Sequence, residues 1–591
     1  MSDIDAAFVP TLWKLEPQQT LGLALSGGGF RASFFHIGVL ARLAELDLLR
    51  RVTTLSTVSG GSIVGVYYYL KVKELLEGRR KDAAAPTSQA YVDIVQEIEK
   101  EFLAAVQTNV RMRALLDPVA NAKMIFSDNY SRSDRMSEIY DEAFYARFAP
   151  SGQSRVALTD LLITPQGMAP GFDVRAYNKT ADYKIPILKI NATSLNSGAR
   201  WTFTATDLGE EPPEPRIDTI KLQDRITYRT ATLEQKKKLS QIGVAGAVAS
   251  SACVPAIFTP FSIHDLYPAQ PGAKEFVVEL VDGGVYDNQG VEALTAENCD
   301  FIICSDASGQ LEENRTPDSK SLPVAARANS ISMNRVRTDC YGRLCAKPGD
   351  GKFAFFHLRD AFAGNANYPP LPGPVGECGP TPNDGHIYAL SNIRTDLDAF
   401  SDTEALTLMY DGYCLSDYFL QRARANADLG LPGPGGAPRA PWRFLDIRPV
   451  IEKAKGPLRV QLDYGKYLFF KAFFADRPTA VRVTAVFALL GLVAALTQWD
   501  RMAALYDFVV HDLLFLLLPL GILAALVYAI AKALDDAPIV LAVADWFRQF
   551  RKADNVVLIA LFFLPGLVGS VVALASLYVY YPIFLRAGRR P

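Results

Sequence analysis

The spacing of apolar residues switches between strand and helix patterns near the N-terminus. Thr20–Leu25 (TLGLAL) is a short apolar run that predicts a strand. Ser26–Gly29 (SGGG) follows directly, and Phe35, Val39, Leu40, Leu43 and Leu46 then recur at helical spacing. Val52–Val58 (VTTLSTV) is β-branched and closed by Ser59-Gly60-Gly61, which predicts a second strand and turn. Another helical stretch runs to about Leu76. This strand–turn–helix order implies parallel strands joined by a right-handed crossover. Sites in such sheets lie at the carboxyl ends of the strands, where both glycine turns fall. Farther on, Phe276–Val281 (FVVELV) predicts a strand ending at Asp282-Gly283-Gly284.

The C-terminal pattern is different. Val483–Thr497 (extendable to Trp499), Leu513–Ala531 and Val556–Leu585 carry no charge, over 15, 19 and 30 residues. About 20 apolar residues span a bilayer, so the last two qualify and the first is marginal. Trp499, Tyr506, Trp546 and Tyr578–Tyr581 sit near the ends of these stretches, as interfacial aromatics do. Met1–Leu15 has no apolar run, so no secretory signal is expected there. Lys466, Lys471, Arg477 and Arg482 precede the first stretch, which agrees with a cytoplasmic N-terminal part. Arg586, Arg589 and Arg590 conflict with three crossings: either the last stretch folds back at Pro565–Gly566 or the first does not cross. The expectation is a multi-pass membrane protein with its polar part facing the cytoplasm. Residues 1–17 form an N-terminal segment and 18–425 one α/β domain with a Pro/Gly-rich insertion at 364–386. A linker and juxtamembrane segment, 426–476, precedes a helical transmembrane region over 477–591.

Composition narrows the class. The 591 residues include 61 Lys+Arg and 63 Asp+Glu, a net charge of −2, which gives no bulk attraction for nucleic acid. Hydrophobic residues make up 49% and charged ones 21%, so the chain is not of the disordered type. Its 7 Cys are too few for a disulfide scaffold. Cys340 and Cys345 have a metal-like spacing, but no His or second Cys pair completes a zinc site, and no metal is expected.

The glycine turns carry the candidate chemistry. Gly27-x-Gly29-x-x-Ala32 matches a dinucleotide fingerprint, but the second strand ends Thr57-Val58-Ser59 without the carboxylate that motif needs. No G-x-x-x-x-G-K-[ST] loop is present. The two turns together read better as a hydrolase site. Ser59 sits at the sharp strand-to-helix turn of a nucleophile elbow, with Thr57 in place of the usual first glycine. The N–H groups of Gly27, Gly28 and Gly29 are candidates for an oxyanion hole. A serine nucleophile needs a base, and His264, His357 and His386 have no supporting motif. His36 lies in the first helix, and His511 in the apolar tail. Asp282 at its strand end is the carboxylate candidate, with Asp287 as runner-up and a plain turn role as the alternative for Asp282.

Ser26–Ala32 (SGGGFRA), Val58–Ser62 (VSGGS) and Asp282–Gly290 (DGGVYDNQG), in this order, resemble the patatin-like phospholipases and the related cytosolic phospholipase A catalytic domains. Lys189–Gly198 (KINATSLNSG), Ala247–Pro260 (AVASSACVPAIFTP) and Arg394–Tyr413 resemble further runs of that family, the last in its bacterial members. The resemblance covers roughly residues 18–420. It implies a three-layer α/β domain with a mainly parallel sheet and a Ser59–Asp282 dyad without a histidine. Gly27, Gly28 and Gly29 would form the oxyanion hole, Arg31 would meet the lipid phosphate or else serve as a cap or ion pair under the loop, and no cofactor would be required. The implied activity is lipid acyl-ester hydrolysis at a bilayer. An acyltransferase on the same dyad, or a non-enzymatic membrane scaffold or effector, are the alternatives.

Overall fold

The computed structural model describes residues 18–497 apart from 81–85, 128–129, 170, 213–221, 256, 269–274, 310, 312–313, 347–351, 361–383, 421–439, 454–456 and 468–470, and then residues 576–589. The chain divides into two compact units, one of residues 1–114, 129–469 and 588–591 and one of residues 115–128 and 470–587.

The first unit is built on the predicted crossover. Strand β1 (Leu21–Leu25) leads into helix α1 (Gly29–Glu45), and β2 (Val52–Val58) into α2 (Gly60–Leu76). Helices α3 (Ser88–Val106) and α4 (Arg132–Tyr140) follow, then β3 (Ile187–Ser194), β4 (Arg200–Phe203), β5 (Asp207–Glu211) and β6 (Ile226–Thr227). Helix α5 (Leu233–Ser251), β7 (Phe261–Ile263), β8 (Val278–Asp282), α6 (Val291–Ala296), β9 (Phe301–Asp306), β10 (Lys352–His357) and α7 (Asp402–Leu420) complete the frame. One sheet runs β10-β9-β1-β2-β3-β4-β5-β6, parallel from β10 to β3 and antiparallel beyond. The expected mainly parallel α/β core is present.

Helix α1 is buried on every face, not only along the stripe of Phe35, Val39, Leu40, Leu43 and Leu46. Its polar residues are therefore paired inside the core. Arg42 binds Asp417 of α7 (2.8 Å) and Glu45 (2.7 Å). A buried charge without such partners would be strongly destabilising. Glu45 also accepts the Trp442 indole N–H at 2.7 Å, and Trp442 stacks on Phe444. Residues 440–453 and 457–467, within the segment expected as a linker over 426–476, thus belong to the first unit. Residues 426–439 of that segment and most of the 364–386 insertion lie outside the described residues.

The second unit contains helices Lys471–Ala475, Arg477–Thr497 and Tyr581–Ala587. The Lys471 ammonium lies over the rings of Phe584 (4.3 Å) and Tyr581 (5.3 Å). Among the described residues no helix is long and apolar enough to cross a membrane. The apolar stretch 513–531 and most of 556–585 lie outside the described residues.

Candidate active site

Strand register brings the two key residues together. Strand β4 occupies one edge of β3 over residues 190–193. The opposite edge is shared by two strands that meet head to head. Parallel β2 pairs with β3 as far as Val58 opposite Asn191. Antiparallel β8 arrives from the other direction and ends with Asp282 opposite Ala192. Ser59 and Asp282 therefore follow each other across one residue step of β3, although 223 positions separate them in sequence.

Ser59 is the sharp point of the turn, with φ 50° and ψ −119°. A non-glycine residue is strained there, as a nucleophile elbow requires. Its N–H donates to Ser251 Oγ at 3.0 Å. Ser251 Oγ donates in turn to the Asn191 carbonyl (2.6 Å) and lies 2.8 Å from Ser62 Oγ. The same segment grips the acid: Asp282 N–H donates to the Cys253 carbonyl (2.9 Å) and Gly283 N–H to that of Ser251 (3.2 Å). Ser251, at the end of α5, thus ties Ser59 and Asp282 to one scaffold. It went unrecognised in the sequence, where only the small-residue run AVASSACVP hinted at close packing. Thr57, the departure from the elbow pattern, is held by bonds to the Lys189 carbonyl (3.2 Å) and from Ser62 (3.0 Å).

Ser59 is 5% exposed and Asp282 6%, so the pair is nearly dry. Burial pushes the Asp282 carboxyl up to about 6, against the Gly284 N–H (2.7 Å) and the Ser59 hydroxyl, which both favour the ion. A carboxylate held near neutrality is suited to take and return a proton. Asp287, the runner-up, caps the next turn instead, accepting Gln289 N–H (3.1 Å) and Glu292 N–H (2.8 Å).

The glycine loop lies against the elbow. A Cβ on Gly60 would sit 2.0 Å from the Gly29 carbonyl, and Gly28 and Gly29 have φ of 138° and 56°. Only glycine suits those positions. Gly27 N–H is already donated to the Asn288 carbonyl at 3.0 Å, which removes it from the expected oxyanion hole. Among the described residues the N–H groups of Gly28, Gly29 and Gly60 have no acceptor. Gly60, directly after Ser59, was missed in the sequence.

Arg31 corrects another expectation. It is 2% exposed and donates to the carbonyls of Ser391 (2.7 Å), Ile393 (3.0 Å) and Ala307 (3.0 Å). Burial lowers its pKa to about 10. Through Nη1 and Nη2 the guanidinium pins two chain segments beneath the loop, and its Nε is buried without a partner among the described residues.

The histidines whose side chains are described stand apart from Ser59 and Asp282. His36 Nε2 lies 3.0 Å from the Ser26 carbonyl and Nδ1 2.8 Å from Ser305 Oγ, so the ring is a neutral strut, with its pKa lowered to about 4 by burial. His357 ends β10, three strands from β2 and hence about 14 Å away. His264 follows β7, whose Ile263 pairs with Val278, placing it about 17 Å along β8 from Asp282. Helix 384–391 holds His386, whose side chain lies outside the described residues, as does all of residue 511.

Residues 23–295 match the family model for patatin-like phospholipases. The chain thus carries a patatin-like phospholipase domain, and that stretch contains Ser59, Asp282 and the glycine loop. No curated protein matches the chain. Among solved structures, human GIVD cytosolic phospholipase A2 with a methyl gamma-linolenyl fluorophosphonate inhibitor is 14% identical, with a TM-score of 0.32, over 70% of this chain and 58% of that one. VipD from Legionella pneumophila is 16% identical, with a TM-score of 0.21, over 55% of each chain. The chain therefore spans less than two thirds of either protein.

Proposed function

We propose that the chain is a lipid acyl hydrolase that works through an acyl-enzyme on Ser59, with Asp282 as its base. The observation that carries this reading is the head-to-head meeting of β2 and β8 on β3, which sets a strained Ser59 beside a buried Asp282. Asp282 accepts the Ser59 proton as the hydroxyl oxygen attacks the ester carbonyl. The unengaged N–H groups of Gly28, Gly29 and Gly60 receive the developing oxyanion, each donor contributing very roughly 3 kcal/mol. Collapse expels the alcohol, which takes the proton from Asp282, and water then repeats the cycle on the acyl-enzyme. The uncharged stretches at 513–531 and 556–585 support a further part of the reading, that the tail holds the domain at a cytoplasmic membrane face where its lipid substrate lies.

A serine-reactive fluorophosphonate tests the nucleophile. Wild type is expected to be labelled and Ser59→Ala to lose both labelling and ester hydrolysis while keeping its fold. Labelling that persists at Ser26 or Ser62 in the variant overturns the assignment.

A further inference from the structure

Helix α4 runs into a single π-helical turn, Asp141–Tyr145. Such turns re-aim side chains and are frequent at functional sites. Together α4 and this turn touch three parts of the candidate site. Phe144 packs on Phe30, the first side chain after the glycine loop, with ring centroids 6.1 Å apart. The Tyr145 hydroxyl donates to the Ile63 carbonyl (2.9 Å) in the first turn of the nucleophile helix. Ser133, earlier on α4, lies 3.0 Å from the sulfur of Cys253, whose carbonyl holds the Asp282 N–H.

Tyr140 stands where α4 meets that turn. Its side chain is 1% exposed, yet its hydroxyl has no hydrogen-bond partner among the described residues. Burial keeps this phenol neutral, and Asp282 is the strongest charged influence on it, ahead of Cys253 and Asp396. An unpaired buried donor is unfavourable in a folded protein, and a bound ligand that accepted from it would relieve that cost.

We propose that the Tyr140 hydroxyl is a further catalytic group, a hydrogen-bond donor to the leaving-group oxygen of the bound acyl ester. The inference rests on the Ser59–Asp282 reading. The carbonyl oxygen faces Gly28 and Gly29. The leaving oxygen must face Asp282, because that carboxyl returns to it the proton taken from Ser59. A neutral donor beside Asp282 stabilises the charge growing on this oxygen before the proton arrives. Tyr140 keeps its own proton throughout.

Tyr140→Phe removes only the oxygen and keeps the ring against Phe144, whose centroid is 6.3 Å away. The assay compares kcat/KM for an alkyl ester and a p-nitrophenyl ester of the same acyl chain. The expected loss is about tenfold or more on the alkyl ester and under about threefold on the nitrophenyl ester, whose leaving oxygen is already stable. Fluorophosphonate labelling should proceed at the wild-type rate, because fluoride leaves without such help. Unchanged turnover of both esters overturns the inference, and so does an equal loss on both or a loss of labelling, which would mark Tyr140 as a structural prop. Wild type and Asp282→Asn are measured in parallel. If wild type is active, Asp282→Asn inactive and Tyr140→Phe normal, the inference on Tyr140 fails alone. If wild type hydrolyses neither ester, the dyad reading fails and this inference with it.

Discussion

Replacing Asp282 by Asn removes the charge of the acid and nearly preserves its shape. Burial pushes the Asp282 carboxyl up to about 6 from its ordinary 3.8, outweighing its two hydrogen bonds. A shift of roughly two units corresponds to about 3 kcal/mol of penalty for holding the ion in the folded chain. Because the folded value is the raised one, the penalty is absent below about pH 3.8, where folded and unfolded carboxyls are both neutral. It grows as pH rises and is complete above about 6. Asn is neutral at every pH and its Oδ1 can still accept the Gly284 N–H, now 2.7 Å away. The variant should therefore unfold a few degrees higher than wild type at pH 8 and together with it near pH 4. Turnover should move the other way. Without a base for the Ser59 proton, kcat/KM on a soluble acyl ester should fall by about 10² to 10⁴. Wild-type kcat/KM should itself rise with pH through about 6, as the base ionises. The measurements are ester hydrolysis against a Ser59→Ala background and thermal unfolding at the two pH values. Activity within about tenfold of wild type, or an unfolding difference independent of pH, would refute the reasoning.

Arg31→Lys should lower the unfolding temperature and reduce turnover of a phospholipid and an uncharged ester alike, because one ammonium cannot hold the Ser391, Ile393 and Ala307 carbonyls together; a loss confined to the phospholipid in paired kinetics would restore a phosphate-binding role. Alkaline carbonate washing of membranes tests the tail: full-length protein should stay in the pellet, and full-length protein in the supernatant would rule out spanning stretches at 513–531 and 556–585.

Local patterns determined much of this protein. The run Val52–Val58 predicted β2 to the residue, and Ser59-Gly60-Gly61 placed the elbow, because a β-branched run and a glycine turn act over a few neighbouring residues. The glycine loop was legible for the same reason. Tertiary structure decided what those residues do. The meeting of Ser59 and Asp282 depends on two strands sharing one edge of β3, and no local pattern encodes a register between segments so far apart. Arg31 and Gly27 had the right chemistry for the site, but packing commits the Gly27 N–H and both terminal nitrogens of Arg31 to carbonyls from residues 288–393, while the N–H groups of Gly28, Gly29 and Gly60 have no acceptor among the described residues. The working pKa of Asp282 and the unpaired hydroxyl of Tyr140 likewise arise from burial, a property of the assembled core and not of any short stretch of chain.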